Sequence, residues 1–210
     1  MSLRVRRLFY GEPFSNAYLV IDEKGDSLLI DFPYNGKHCL EKEANSGGGT
    51  CQGILLTHGH IDHIHGLSSL EADIPIYMGE ADIACLTDDS LNVSAPLFGK
   101  GETIELPKPP IALSGGEKLH LLGREVLVIA TPFHTRGSLC FYFPEDGMLF
   151  TGDTLFHLGI GRYDLPGSCP RFREESLAKI RKLPKTVVFY PGHGPGGNLE
   201  TEFAYNPAFL

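Results

Sequence analysis

Apolar residues in this chain fall into short runs closed by turn signals, not into long helical stripes. Residues 3–10, 17–22 and 27–32 are rich in β-formers and are broken by Gly11-Glu12-Pro13 and Lys24-Gly25-Asp26, which predicts three strands. Glu23-Lys24-Gly25-Asp26 between two apolar runs predicts a hairpin. Residues 36–44 are polar and predicted helical, and Asn45-Ser46-Gly47-Gly48-Gly49 follows as a flexible loop with no assigned chemistry. Residues 53–56 read as a buried strand. Residues 63–70 and 80–86 have a helical pattern, with a short strand over 76–78 between them.

The second half repeats the plan. Strands are predicted over 118–122, 125–130, 139–143, 148–150 and 187–190, and a helix over 173–183 with Leu177, Ile180 and Leu183 on one face. Two such halves predict two mixed sheets packed together with helices outside. No sequence repeat is detectable, and the segment from Pro107 to Pro110 is too short for a linker, so residues 1–210 are expected to form a single domain.

Chemistry enters at the end of the strand over 53–56. Thr57-His58-Gly59-His60-Ile61-Asp62-His63 places three imidazoles and a carboxylate directly after Ile54-Leu55-Leu56. In extended chain alternate side chains share a face, so His58 and His60 can point at one place. A turn into helix would swing Asp62 and His63 towards a second place nearby. Imidazole nitrogen and carboxylate oxygen are ligands for zinc, iron and manganese alike. Three further strands each lead to one more ligand: His134 after Thr131-Pro132-Phe133, Asp153 after Thr151-Gly152, and His193 after Pro191-Gly192. Strand ends feeding loops at one rim are where sites are built.

Composition narrows the partners. Eighteen basic against 26 acidic residues give a net charge of −8, without the basic stripe that phosphate recognition needs, so no nucleic-acid partner is expected. Cys39, Cys51, Cys85, Cys140 and Cys169 are odd in number and form no CxxC pair, which argues against a disulfide framework and for a reducing compartment. The first residues, Met1-Ser2-Leu3-Arg4-Val5-Arg6-Arg7, show no apolar signal region, and no apolar run reaches membrane-span length. A cytoplasmic protein with no membrane partner is therefore expected, as a monomer or homodimer.

These motifs together resemble the metallo-β-lactamase superfamily, and most closely its glyoxalase II (hydroxyacylglutathione hydrolase) branch, in compact single-domain form. The resemblance extends to Asn16-Ala17-Tyr18-Leu19-Val20, Leu29-Ile30-Asp31, Thr154-Leu155-Phe156, Gly159-Ile160-Gly161-Arg162 and Asn206-Pro207. It implies an α/β (α+β) fold, a four-layer αββα sandwich, with a two-metal site between the sheet edges. Carried over by position, His58, His60 and His134 would hold one metal, Asp62, His63 and His193 the other, and Asp153 would bridge both. The cofactor expected is two zinc ions, with iron and manganese suited to the same ligands. Asp62 and Asp153 would take the catalytic roles, orienting a hydroxide shared by the metals.

Thioester hydrolysis is the activity this resemblance implies, on a small-molecule thioester such as a glutathione conjugate. A lactamase of this type would carry a cysteine where Asp153 stands and a signal peptide. A flavodiiron-type site would need a glutamate where His60 stands. Residues 194–210 contain no Lys or Arg, so a glutathione grip of the kind larger relatives carry would be reduced, absent or supplied by a partner subunit. Arg162 is placed to meet an acidic substrate group or to form a structural salt bridge, with Tyr163 beside it as a weaker substrate contact. Asp31 would orient a ligand histidine or serve as a strand-end turn, and Thr57 and Thr154 would border the site. Phe133, where glycine is usual in the branch, would narrow the pocket wall. His38, His65, His120 and His157 are read as surface or packing residues, with His157 the one to watch. Alternatives are a persulfide dioxygenase with one iron on His58, His134 and Asp153, a lactone or ester hydrolase, and a non-catalytic metal-binding module.

Overall fold

The computed structural model describes residues 2–8, 13–33, 48–70 and 73–210. The helix predicted over 36–44, His38 and residues 45–47 of the glycine loop lie outside the described residues. The first sheet has six strands in sequence order: β1 (Arg4–Leu8), β2 (Ala17–Ile21), β3 (Ser27–Ile30), β4 (Cys51–Leu55), β5 (Ile76–Gly79) and β6 (Ile111–Leu113). β1 to β3 pair antiparallel, and β3 to β6 run parallel. The predicted hairpin between β2 and β3 is closed by Asp22, whose Oδ1 accepts from the backbone of Lys24 and Asp26.

The second sheet holds β7 (Lys118–Leu121), β8 (Arg124–Ala130), β9 (Leu139–Phe143), β10 (Met148–Gly152), β11 (Val188–Pro191) and β12 (Gly197–Asn198), in the order β12-β11-β10-β9-β8-β7. Its pairs are antiparallel except β10 with β11. Strand alternation sorts the side chains into three apolar layers. Tyr18, Val20, Leu28 and Ile30 meet Phe141, Phe143 and Phe150 between the sheets. Leu19, Leu29 and Ile54 face outward under Ile61, Ile64 and Leu67, while Cys140, Tyr142 and Leu149 face outward under Leu177, Ile180 and Leu199. Both faces of the central strands are covered, so these strands read as nearly unbroken apolar runs.

The outer layers are carried by α1 (Ile61–Ile64) on the first sheet, and by α3 (Arg173–Arg181) and α4 (Leu199–Tyr205) on the second; α2 (Ser94–Phe98) packs against α1. The result is the four-layer αββα sandwich. Among the described residues no helix is long and apolar enough to cross a membrane.

The helices predicted over 63–70 and 80–86 depart from the pattern. One α-helical turn, α1, is followed by the 3₁₀ segment His65–Ser69, and Glu80–Leu86 is 3₁₀ throughout. Gly66 explains the first: its N–H donates to the Phe32 carbonyl, and a Cβ there would meet the Phe32 ring at 2.5 Å. The chain is thereby pulled off α-helical register to close on Phe32. Periodicity did not predict α2, β6, β12 or α4, although α4 carries a legible cap, with Asn198 Oδ1 accepting from the Thr201 N–H.

Candidate metal centre

Four donors come from the join between β4 and α1. His60 holds extended backbone (φ −70°, ψ 146°) at the entry to the helix, so His58 and His60 project from one face before Asp62 and His63 turn with α1. Gly59 between them passes so close to Cys85 that a Cβ would lie 2.6 Å from the Cys85 Cβ. The other three donors follow strand ends of the second sheet: His134 after β8, Asp153 after β10, His193 after β11. The two rims are sewn together. Asn16 N–H donates to the Gly192 carbonyl, the Asn16 amide and the Tyr18 hydroxyl donate to the Pro191 carbonyl, and Leu139 N–H donates to the Thr57 carbonyl.

All seven side chains named from the sequence converge. Their donor atoms form overlapping groups: His58, His60 and His134; His58, His63 and Asp153; Asp62, His63 and His193. Asp153 lies between the two ends. Its Oδ2 is 3.5 Å from His134 Nε2 and 3.7 Å from His193 Nε2, and its Oδ1 is 3.3 Å from His63 Nε2. His60 Nδ1 is 3.0 Å from His134 Nε2, and Asp62 Oδ2 is 3.1 Å from His193 Nε2. Donors held about 2.0–2.2 Å from a shared cation stand roughly this far apart. The Nε2 atoms of His58, His60 and His63 and the Oδ1 of Asp153 are buried without a hydrogen-bond partner. A buried polar atom left unpaired is costly, and a cation is the partner this donor chemistry fits.

Backbone and carboxylate acceptors set the proton positions. His134 Nδ1 donates to the Arg162 carbonyl at 2.6 Å, which leaves Nε2 with its lone pair towards the cluster. His63 Nδ1 is 2.8 Å from Asp31 Oδ2, and Asp31 also accepts from the backbone and hydroxyl of Thr57. Asp31 thus both orients a cluster histidine and turns the chain at the end of β3, with φ +58°. The Thr154 hydroxyl pairs with that of Thr131 behind the site.

Electrostatics divide the imidazoles. Burial, reinforced by neighbouring imidazoles, pushes His58 far below the usual histidine range and His60 down to about 3. Burial acts against charge on His63 and His193 as well, yet Asp31, Asp62 and Asp153 outweigh it at His63, and Asp62 with Asp153 at His193, so both are raised. Asp62 and Asp153 are held low despite their burial, chiefly by His63. The same negative field would draw a cation.

A cavity of about 440 Å³ opens over His60, Asp62, His134, Asp153 and His193. Its remaining wall is apolar, from Pro13, Val93, Pro96, Leu97, Phe156 and Leu165, with Arg162 at the edge. Arg162 is exposed and gives both Nε and Nη2 to Asp164, so its side chain is in the salt-bridge arrangement and its contact with the donors runs through its carbonyl. Tyr163 does not line the cavity; its hydroxyl accepts from Arg173. Phe133 does not narrow the pocket wall: it is fully buried and packs edge-on to Tyr163, because the backbone turn that turns His134 to the cluster sends the preceding side chain into the interior. Of the spare histidines, His157 and His65 pair with Glu202 and Glu102, and His120 is exposed on β7.

One residue of the site was not found from the sequence. Asp82, in the 3₁₀ segment after β5, is buried and accepts from the Gly59 N–H, the Thr135 hydroxyl and the Gly137 N–H. It clamps the peptide between His58 and His60 to the loop that carries His134. No local signal marks it, since its partners come from two other segments.

Known proteins share this arrangement of chain. The family model of the metallo-beta-lactamase superfamily matches residues 10–193. YqgX of Bacillus subtilis strain 168, described as a probable metallo-hydrolase, is 33% identical over 98% of this chain and 97% of its own. A hydroxyacylglutathione hydrolase of Bartonella quintana strain Toulouse is 35% identical over 83% of this chain and 61% of its own. Among solved structures, the BLEG-1 B3 metallo-beta-lactamase matches with a TM-score of 0.88 at 30% identity, over 98% of this chain and 99% of its own. TTHA1623, solved in a di-iron-bound form, matches with a TM-score of 0.83 at 34% identity, over 98% and 100%.

Proposed function

This chain belongs to the metallo-β-lactamase superfamily and is a metallo-hydrolase of that superfamily, and from that premise we propose that it hydrolyses small-molecule thioesters at a two-metal site. His58, His60 and His134 would hold one divalent cation, Asp62, His63 and His193 the second, with Asp153 shared. Two cations bound there would polarise an acyl carbonyl and make water acidic enough to attack at neutral pH. The protein's own groups prepare for this. Asp31 and the Arg162 carbonyl accept from the Nδ1 atoms of His63 and His134, which aims both Nε2 atoms at the cluster. Asp153, lying between the donor groups, would be the carboxylate shared by the two cations.

The observation that carries the reading is the convergence of the donor groups, four of their atoms buried and unpartnered, beneath a cavity lined by His60, Asp62, His134, Asp153 and His193. The leaving group is argued from what else faces it. Apart from the metal donors, Arg162 is the one titratable side chain lining the cavity among the described residues, so no spare acid stands ready to protonate an amine. A thiol of ordinary pKa about 8.5 departs as thiolate with little help. The relative named hydroxyacylglutathione hydrolase supports the same choice. A second reading, β-lactam hydrolysis, is favoured by the likeness to the B3 enzyme.

Metal content by mass spectrometry on purified protein, with turnover of S-lactoylglutathione and of a chromogenic β-lactam, tests the assignment. Two equivalents of zinc, iron or manganese with release of the acid and free thiol support it. One iron with sulfite formed from glutathione persulfide reverses it in favour of a dioxygenase. Two bound metals without hydrolysis of any thioester refute it.

A further inference from the structure

Resting on the thioesterase reading, we propose that the acyl group of the substrate is an uncharged apolar chain, seated on the wall that Val93, Pro96 and Leu97 raise beside the metal donors. This wall is built under constraint. Val93 has φ +54° and ψ 29°, a left-handed conformation in which a β-branched side chain is an outlier. Asn92 pins it there: fully buried, it donates to the carbonyls of Cys85 and Glu102, its Oδ1 accepts from Ser94 N–H, and its carbonyl accepts from Ile61 N–H. The last bond ties the residue just before Val93 to the first residue of α1, next to Asp62. Backbone strain held in place this firmly clusters at functional sites.

The next residues continue the surface. Pro96 and Leu97 reach the cavity from α2, and Leu97 is 39% exposed, a large apolar side chain left in water at the rim. Phe156 closes the side near His193, its ring 6.1 Å from the imidazole. Charge points the same way. Glutathione carries two carboxylates and an ammonium group, yet among the described residues Arg162 is the one Lys or Arg lining the cavity, and it is already bound at two points by Asp164. The departing thiol needs an open path, which the exposed Arg162–Asp164 side provides. The apolar side is left for the acyl chain.

The test uses metal-loaded protein with its metal content measured. Substrates are the acetyl, butanoyl and hexanoyl thioesters of N-acetylcysteamine, hexanoylglutathione and S-lactoylglutathione. The expected result is a rise in kcat/KM of about fourfold per added methylene, the factor given by about 0.8 kcal/mol per buried CH₂. The hexanoyl esters of the two thiols should agree within about threefold. Two variants read the wall itself. Val93→Gly is relaxed at a positive φ but gives up a side chain only 4% exposed, so its melting temperature should fall modestly while the chain-length dependence falls below about twofold per methylene. Leu97→Asp, at an exposed position, should do the same to the dependence.

A flat series in the unaltered protein overturns the proposal. So does a wild-type series in both variants, or a tenfold preference for S-lactoylglutathione over the hexanoyl esters. If protein with two bound metals cleaves no thioester at all, the thioesterase reading itself is lost and the acyl site goes with it; brisk turnover of S-lactoylglutathione with a flat series removes the acyl site alone.

Discussion

Replacing Asp31 by Asn separates charge from geometry at the heart of the cluster. Asn tolerates a left-handed backbone as Asp does, so φ +58° at position 31 adds no new strain. What changes is one oxygen. Asp31 Oδ1 accepts from Thr57 N–H at 2.7 Å, and Oδ2 faces His63 Nδ1 at 2.8 Å. If the amide keeps its oxygen on Thr57, its NH₂ faces His63 and must donate, which drives the imidazole proton to Nε2. That nitrogen lies 3.7 Å from Asp62 and 3.3 Å from Asp153, and a proton on it blocks its lone pair. If the amide flips instead, two donors meet at Thr57, at a cost of about 1–3 kcal/mol. Affinity at the Asp62–His63–His193 end should fall roughly 10–100-fold, the usual effect of removing a histidine's carboxylate partner. Asp31→Ala should also lose about 2–5 kcal/mol of stability, from the orphaned Thr57 N–H and a left-handed alanine. Competitive chelator titration reads the affinity and urea unfolding the stability. The expected Asn variant retains one metal at a chelator concentration where the unaltered protein retains two. Two metals held with undiminished affinity would refute the tautomer argument.

Acid should unfold the metal-free protein partly through His60. Its folded pKa of about 3 lies below the unfolded value near 6.5, so its contribution to stability is present above 6.5 and is lost as the pH falls towards 3. His60→Asn should therefore flatten the urea-measured decline by up to roughly 1.4 kcal/mol per pH unit in that window, and an unchanged slope contradicts it. A Cβ on Gly192 would lie 2.2 Å from Asp153 Oδ1 and 2.6 Å from His63 Cε1, so Gly192→Ala should still fold but bind less metal, read by mass spectrometry. Asp82→Ala leaves the buried Gly59 and Gly137 N–H groups without an acceptor and should cost at least about 2 kcal/mol in urea unfolding, with metal lost as well. Adding metal back to chelated protein at about a hundred times its Kd should restore roughly 2.7 kcal/mol, seen as a higher melting temperature.

The sandwich and the donors were legible because each donor follows a strand written in its own local sequence. Val126 to Ala130 announces itself as strand, and His134 lies just past its end. The same logic explains what was missed. Asp82 has meaning only once the segment after β5 touches both donor loops, and Val93 is strained by bonds from Asn92 to Cys85, Glu102 and Ile61, none of which a local pattern encodes. Phe133 was expected at the pocket wall because the resemblance puts a glycine beside His134, but past the end of β8 the backbone has turned and the ring is buried in the interior. The two 3₁₀ segments read simply as helical because α and 3₁₀ patterns share their apolar spacing over a few residues; for His65–Ser69 the closure of Gly66 on Phe32 tips the balance.

The donors arrive from opposite ends of the molecule's construction: four on the loop after β4, the last only once β11 has been laid beside β10. During synthesis no ion can be captured in full until both sheets are paired, so the newborn protein must survive for a time with Asp62 and Asp153 facing only His63, His134 and His193. A proton lodged on His63 is then a placeholder, surrendered when the proper guest comes in. Loading with metal should accordingly acidify the medium, and how readily the protein fills will depend on pH as much as on the supply of ions.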